Sequence, residues 1–353
     1  MASATRDSSV RVGIIGCGVV APTHAMALGG IEGAELVAVA DKSESRLREF
    51  AAEFSVPKAY ADHEALLADP AVDAVCVCTP HHLHAPIAMD AARAGKHVLV
   101  EKPMATNLED ADELIRLCDD GGLRLGVVFQ HRFDPAAIYV KKLVEGGDLG
   151  TVALGSVYVK WFRDAEYYDP ASWRGRWATA GGGALINQAI HAMDVLGWIV
   201  GDVKSVTGYA GARVHDIEVE DTAVAALRFA SGAFGIVEAS TTTYPQTEER
   251  IEIAGSRGSV TIEGGRIVQH ELLDGPANAP VLEADDPRFQ GKSYYGASHP
   301  LVIEDFVAAV RDGRPPAVDG REGRKVLEVI FGIYESSRTG REVVLGGGVG
   351  GGK

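Results

Sequence analysis

The sequence predicts an α/β chain in two parts, a doubly wound parallel sheet first and an α+β domain with a large, mostly antiparallel open sheet second. Three observations lead there. Through residue 130, short apolar runs alternate with helical stretches over short connections, the pattern of a parallel sheet covered on both faces. From about residue 151 the pattern changes to longer alternating runs separated by tight turns, the signature of antiparallel strands. A length of 353 residues provides for two hydrophobic cores.

Taken in order, Val10 to Ile15 is a β-branched strand, followed by Gly16-Cys17-Gly18-Val19-Val20-Ala21 and a helix through Leu28. In such a turn the first glycine makes the bend, the second lets a pyrophosphate approach the backbone, and the small third residue lets helix and strand pack closely. Val19 and Val20 complete the turn. The second strand, Glu35 to Ala40, ends in Asp41, placed to hold the adenosine ribose hydroxyls and so to favour NAD over NADP. Lys42, Ser43 and Arg46 follow at once and soften that preference, and Asp41 has a second reading as the cap of a helix over Ser43 to Phe54.

A short helix over Asp62 to Leu67 and a strand over Asp73 to Cys78 lead to Thr79-Pro80-His81-His82-Leu83-His84. No carboxylate or cysteine stands at ligand spacing from these histidines, and the cluster lies at a strand's carboxyl end, where a dinucleotide passes, so no metal is expected. After a helix to Ala94, the run Val98 to Val100 stops abruptly at Glu101-Lys102-Pro103. Strand ends of this kind rim the cofactor crevice, and a lysine there can stabilise an alkoxide as an alcohol gives up hydride. A surface ion pair is the other reading of Glu101 and Lys102. A helix over Leu108 to Asp120 and a strand over Leu123 to Val128 complete the first domain.

The second domain opens with a helix over Asp134 to Glu145. Strands are predicted over Thr151 to Phe162, Val203 to Val214, Thr222 to Ala230, Ala233 to Thr243, Arg250 to Ala254 and Ser259 to Glu263, with helices Ala184 to Val200, His299 to Arg311 and Arg321 to Ser337 as cover. A sheet face left bare would be covered by another subunit's sheet. Trp173-Arg174-Gly175-Arg176-Trp177 and then Gly181-Gly182-Gly183 lead into the helix that carries Asn187, Gln188 and His191. Asn187 and His191 are four residues apart and share one helix face. A neutral imidazole at His191 can take a substrate hydroxyl's proton, while Asn187 can orient the substrate but cannot act as a base. Pairing of His191 with Asp194 is the alternative.

Bulk properties limit the partners. A net charge of −15 argues against nucleic acid and anionic membrane and for a small molecule. Cys17, Cys76, Cys78 and Cys118 lie in or near apolar segments without zinc or disulfide spacing, which fits free thiols in a reducing compartment. The polar start, Met1 to Ser9, lacks a signal-peptide core, and no 18-residue apolar run occurs, so a cytoplasmic setting is expected. The domains expected are a disordered start over 1–9, a dinucleotide-binding domain over 10–130, a substrate-binding and oligomerisation domain over 131–345 and a flexible Gly-rich tail over 346–353.

Taken together, Gly16-x-Gly18-x-x-Ala21, Thr79-Pro80 with His84, Glu101-Lys102-Pro103, Gln130-His131-Arg132-Phe133, the Gly181-Gly182-Gly183 helix with His191 and the segment from Asp305-Phe306 to Gly340 resemble the Gfo/Idh/MocA family from about Val10 to Leu345. The resemblance implies a nicotinamide-dependent dehydrogenase or reductase acting on a sugar, cyclitol or sugar derivative. It further implies an N-terminal Rossmann domain and a homodimer or homotetramer joined through the C-terminal sheet. Carried over by position, Lys102 resembles the catalytic lysine and His191 the proton-transferring histidine. Gly16, Gly18, Asp41, Thr79, Pro80, His84 and Glu101 resemble cofactor contacts, as do Trp173 and Arg174 for some members. His131, Tyr168, Gln188 and His299 are candidate substrate contacts beside Asn187. Many relatives carry aspartate where this chain has Asn187, which leaves His191, assisted by Lys102, as the acid/base. Two other readings are a glycoside-processing enzyme that recycles a tightly held NAD and a non-catalytic NAD-binding regulator.

Overall fold

The computed structural model describes residues 9–275 and 298–346. The expected disordered start and Gly-rich tail lie outside the described residues except for Ser9 and Gly346, as does most of the stretch from Gly275 to His299. The chain divides into two units. Described residues 9–130 and 298–323 form the first, and 131–275 with 324–346 the second.

The first unit follows the alternation in the sequence: β1 (Val10–Ile15), α1 (Ala21–Gly30), β2 (Ala34–Ala40), α2 (Glu44–Glu53), β3 (Lys58–Tyr60), α3 (His63–Leu67), β4 (Ala74–Val77), α4 (His81–Arg93), β5 (His97–Val100), α5 (Leu108–Asp120) and β6 (Leu125–Val127). The strands lie in the order β3-β2-β1-β4-β5-β6 and every pairing is parallel. Such a sheet buries both faces, and β4, with all four residues buried, shows why its sequence is an unbroken apolar run. Between β1 and β4 the strand order changes direction, which opens a crevice beyond their carboxyl ends. Asp62 and Asn107 cap α3 and α5 by accepting from Ala65 N–H and Asp110 N–H. β3 escapes sequence reasoning because Lys58-Ala59-Tyr60 is too short and too exposed to show a period.

The second unit contains α6 (Pro135–Glu145), β7 (Val152–Lys160), α7 (Trp177–Ala180), α8 (Ile190–Val200), β8 (Val203–Gly211), β9 (Thr222–Phe229), β10 (Phe234–Ser240), β11 (Arg250–Gly255), β12 (Gly258–Glu263) and β13 (Arg266–Leu272). α9 (His299–Asp312), α10 (Gly320–Thr339) and β14 (Val343–Val344) close the chain. The eight strands run in the order β13-β12-β11-β7-β10-β9-β8-β14, antiparallel except for β7 against β10. One face is covered: α8 packs on β7 and β11, and α6 on β12. On the other face alternate residues are exposed, and these include Leu154, Tyr209, Val224, Phe234 and Ile236.

Three corrections to the sequence reading follow. α9 belongs to the first unit, where it packs on α1, β1 and β5, so the second domain is not the continuous block 131–345. The division falls inside α10, after Gly323. The expected helix from Ala184 to Val200 starts as a π-helical turn over Ala184–Ala189.

Candidate active site

In the first unit the glycine turn is shaped for a close approach. Gly16 has φ +97°, and a Cβ there would lie 2.8 Å from the Cys78 carbonyl oxygen, so only glycine fits. Beyond Gly18 nothing lies closer than 3.7 Å to such a Cβ. α1 begins behind it with no side-chain cap; Pro22 carries no N–H, and the Ala21 and Thr23 N–H groups donate to the Gly18 and Val20 carbonyls at 3.3 and 3.0 Å. Asp41 stands at the end of β2. Its Oδ2 accepts from Cys17 N–H at 2.8 Å, and its Oδ1 accepts from Ser43 N–H at 2.7 Å and from Arg46 Nη2 at 3.3 Å. These groups fit a dinucleotide: a bare glycine cradle for phosphate and a carboxylate beside it for ribose hydroxyls. Lys42 lies next to that carboxylate in the chain.

His84 is 1% exposed, and its ring nitrogens lie 2.6 Å from the Thr79 carbonyl and 2.7 Å from the Pro103 carbonyl. It braces the ends of β4 and β5, and burial lowers its pKa. Glu101 is buried beside two histidines. His24 Nε2 lies 2.8 Å and His299 Nε2 3.7 Å from its Oε1, while Oε2 accepts from Lys102 N–H at 3.3 Å. Burial alone would raise the Glu101 carboxyl, yet hydrogen bonds from His24 and His299 hold it well below the ordinary range. Lys102 is therefore the residue after a buried, ionised carboxylate that also accepts from the Lys102 N–H. His299 is 2% exposed within this network. Sequence reasoning missed His24 because a lone histidine in an apolar helix carries no pattern.

The second unit builds the other group. The Gly183 N–H and Leu185 N–H both donate to the Glu220 carboxylate at 2.8 Å, Tyr334 OH donates to it at 2.9 Å, and a Cβ on Gly183 would collide with the Glu220 carbonyl. Glu220 thus ties down the π-helical turn that presents Asn187, Gln188 and, one turn on, His191. Burial pushes its carboxyl up to about 7 against those hydrogen bonds. Leu185 and Ile186, fully buried, anchor the same turn at about 1.5–3 kcal/mol each.

Asn187 Nδ2 donates to Tyr167 OH at 2.8 Å, and Gln188 Nε2 donates to the same oxygen at 3.0 Å. Tyr168, the tyrosine chosen from sequence, instead shares a hydrogen bond with Thr241 Oγ1 at 2.8 Å, and burial pushes its phenol up to about 12. Arg174 lies over the Tyr167 ring at 4.6 Å and over Trp173 at 4.8 Å, so the Trp173–Arg174 pair stands on the wall beside Asn187. Asp194, the alternative partner of His191, gives both oxygens to Arg132 at 2.7 Å in a buried ion pair. His131 meets His191 nearly perpendicularly, 5.0 Å between ring centroids. Among the described residues no group of three His, Cys, Asp or Glu side chains is placed to hold a metal ion.

Residues 10–129 match the oxidoreductase family with an NAD-binding Rossmann fold known as GFO/IDH/MocA, and residues 138–261 match that family's C-terminal domain. The chain belongs to this family. It is accordingly an oxidoreductase with a nicotinamide dinucleotide as its cofactor. Among curated relatives, the myo-inositol 2-dehydrogenase of Thermotoga maritima is 31% identical, the match covering 95% of this chain and 98% of that one. Among solved structures, the WlbA dehydrogenase of Bordetella pertussis, in complex with NADH and UDP-GlcNAcA, is 37% identical with a TM-score of 0.85, covering 96% of this chain and 99% of that one. A levoglucosan dehydrogenase in complex with NADH and levoglucosan is 26% identical with a TM-score of 0.87, covering 96% and 100%. The family membership and both sheets agree with the expectations from sequence.

Proposed function

We propose that this member of the family transfers hydride between NAD and a secondary alcohol or ketone of a sugar, cyclitol or sugar derivative, with Lys102 and His191 at the reacting oxygen. The observation that carries the reading is the glycine turn that leaves room for a dinucleotide, in a chain whose relatives are named for sugar and cyclitol oxidation; Lys102 follows the buried Glu101 in the first unit, and His191 follows the turn braced by Glu220 in the second. When bound, the nicotinamide supplies the hydride acceptor. His191 takes the hydroxyl proton as the C–H bond is lost, Lys102 holds the developing oxyanion, and Asn187 with Gln188 and Tyr167 orients the neighbouring hydroxyls.

Gly16, Gly18, Val19, Val20 and Asp41 receive the dinucleotide, with Thr79, Pro80 and Glu101 lining the strand ends. NADP remains a substitute through Lys42 and Arg46, and a related D-xylose 1-dehydrogenase of Haloferax volcanii is named for NADP. The open sheet face joins copies of the chain as a homodimer or homotetramer, and the buried free thiols suit the cytoplasm.

The test is a panel of myo-inositol, levoglucosan and UDP-linked hexuronic acids with NAD and NADP, followed by nicotinamide absorbance. Lys102→Met should lower turnover by about 10²–10³-fold while NAD binding persists. Near-normal turnover in that variant would overturn the assignment. Asn187, where the family resemblance implies an aspartate in many relatives, favours as a second reading an NAD-binding regulator without turnover. A chain that binds NAD and stays inert toward the whole panel would support that reading instead.

A further inference from the structure

Among the described residues Arg174 is a cation without a carboxylate partner. Its guanidinium lies 4.6 Å from the centre of the Tyr167 ring and 4.8 Å from the centre of the Trp173 ring. The side chain makes one long hydrogen bond there, from Nη1 to Ser172 Oγ at 3.5 Å, and its Nε is buried with no acceptor. A guanidinium carries five N–H donors and stays charged, so most of its capacity is left over. The chain is not short of acids, with 49 acidic against 34 basic residues. Acids of the same stretch are engaged with backbone instead: Asp164 accepts from the Tyr167 N–H at 3.0 Å and Asp169 from the Ala171 N–H at 2.6 Å. The loop that carries Arg174 is itself tied down. Thr179 Oγ1 donates to the Trp173 carbonyl at 2.6 Å, the Arg174 N–H to Ser172 Oγ at 3.2 Å, and the Glu218 N–H to the Gly175 carbonyl at 2.9 Å.

Tyr167 joins this cation to the turn that carries Asn187. Its hydroxyl oxygen accepts from Asn187 Nδ2 and Gln188 Nε2, so what the phenol has left to give a ligand is its own hydrogen. We propose that Arg174 and Tyr167 receive an acidic group of the substrate, so that sugars bearing a carboxylate, such as hexuronic acids, are preferred over neutral polyols. The proposal rests on the reading of the Asn187 turn as the substrate site and adds the class of substrate to it. A carboxylate is acceptor-only, and its charge-assisted hydrogen bonds from a guanidinium are about twice as strong as those of a neutral group. A hydroxyl in the same place would leave the arginine's charge unanswered. The two aromatic rings shield the guanidinium from water, which makes its attraction for an anion stronger than on an open surface.

The experiment is isothermal titration of the full chain loaded with NADH, which cannot oxidise an alcohol, so that binding is read without turnover. The probes are pairs that differ by one carboxylate: methyl glucuronide against methyl glucoside, methyl galacturonide against methyl galactoside, and UDP-glucuronate against UDP-glucose. In at least one pair the wild type should bind the acid about 10-fold or more tightly than its neutral partner, and the ratio should fall as salt is added. Arg174→Gln should bring that ratio close to one, Arg174→Lys, which keeps the charge, should restore part of it, and Tyr167→Phe should lower it by a smaller factor. Equal binding within every pair overturns the proposal, and so does a ratio that survives Arg174→Gln. A weakened NADH affinity in Arg174→Gln with the ratio intact assigns the guanidinium to the cofactor's phosphates and overturns it as well. An arginine-dependent preference for the acid in a chain that oxidises none of the probes with NAD supports the proposal and counts against the proposed activity instead.

Discussion

Asp41 shows how much can turn on one carboxylate. One oxygen holds the glycine turn through Cys17 N–H, and the other receives Ser43 N–H and Arg46. It braces the glycine turn and keeps Arg46 occupied, and in the proposed site it presents acceptors to ribose hydroxyls. Asp41→Ser should therefore release Arg46 toward a 2′-phosphate, lowering kcat/KM for NAD and raising it for NADP so that their ratio shifts by about 10-fold or more, as steady-state kinetics with both cofactors would measure. An unchanged ratio would remove Asp41 from cofactor choice. The sequence made this residue legible because it stands at a fixed distance beyond a glycine turn. Tyr167 was not legible: two adjacent tyrosines have the same chemistry in a sequence, and only the fold shows that Tyr167 reaches Asn187 and Gln188 while Tyr168 reaches Thr241.

At the scale of the element, the π-helical turn over Ala184–Ala189 depends on Glu220, a residue 35 positions away from Leu185 in the chain. Apolar spacing alone reads the stretch to Val200 as one helix, because the extra residue of a π turn changes which side chains share a face without changing their composition. β13 and β14 stayed hidden for another reason: the first is a largely exposed edge strand and the second has two residues. Glu220 also gives the turn a pH signature. A carboxyl raised in the folded chain contributes stability that is complete below its ordinary value of 4.5 and is lost as the pH rises through about 7. Wild type should thus lose about 3 kcal/mol more than Glu220→Gln between about pH 5 and about pH 8 in urea unfolding, although the amide, facing two N–H donors, lowers stability at every pH. Parallel pH dependences in the two proteins would show that Glu220 does not titrate in this range.

At the scale of the whole molecule, the sheet of the second unit shows an apolar outer face. Phe234 and Ile236 on β10 are 53% and 46% exposed, and Leu154, paired with Phe234 across the parallel ladder, is 50% exposed. Alternation of buried and outward positions along β9 and β10 produces this face, where Val224, Phe234 and Ile236 stand beside the charged Arg228 and Glu238. A bare face of this kind marks an association surface. Phe234→Lys with Ile236→Lys should convert a multimer into a single chain by light scattering, and a wild-type protein that is already monomeric would contradict the proposed assembly. Domain order was legible only in part, because β-α alternation ends near residue 130 and nothing local in His299–Asp312 shows that it packs against β1 and β5.

That return of α9 has a consequence during synthesis. Val302, Ile303, Phe306 and Val307 are buried in the unit whose sheet is otherwise complete by Val127, although the ribosome reaches them only about 170 residues later. At roughly 5–20 residues per second, the nascent parallel sheet waits on the order of ten to thirty seconds with an oily strip uncovered, and during that interval a chaperone must shelter it or neighbouring nascent chains will stick to it.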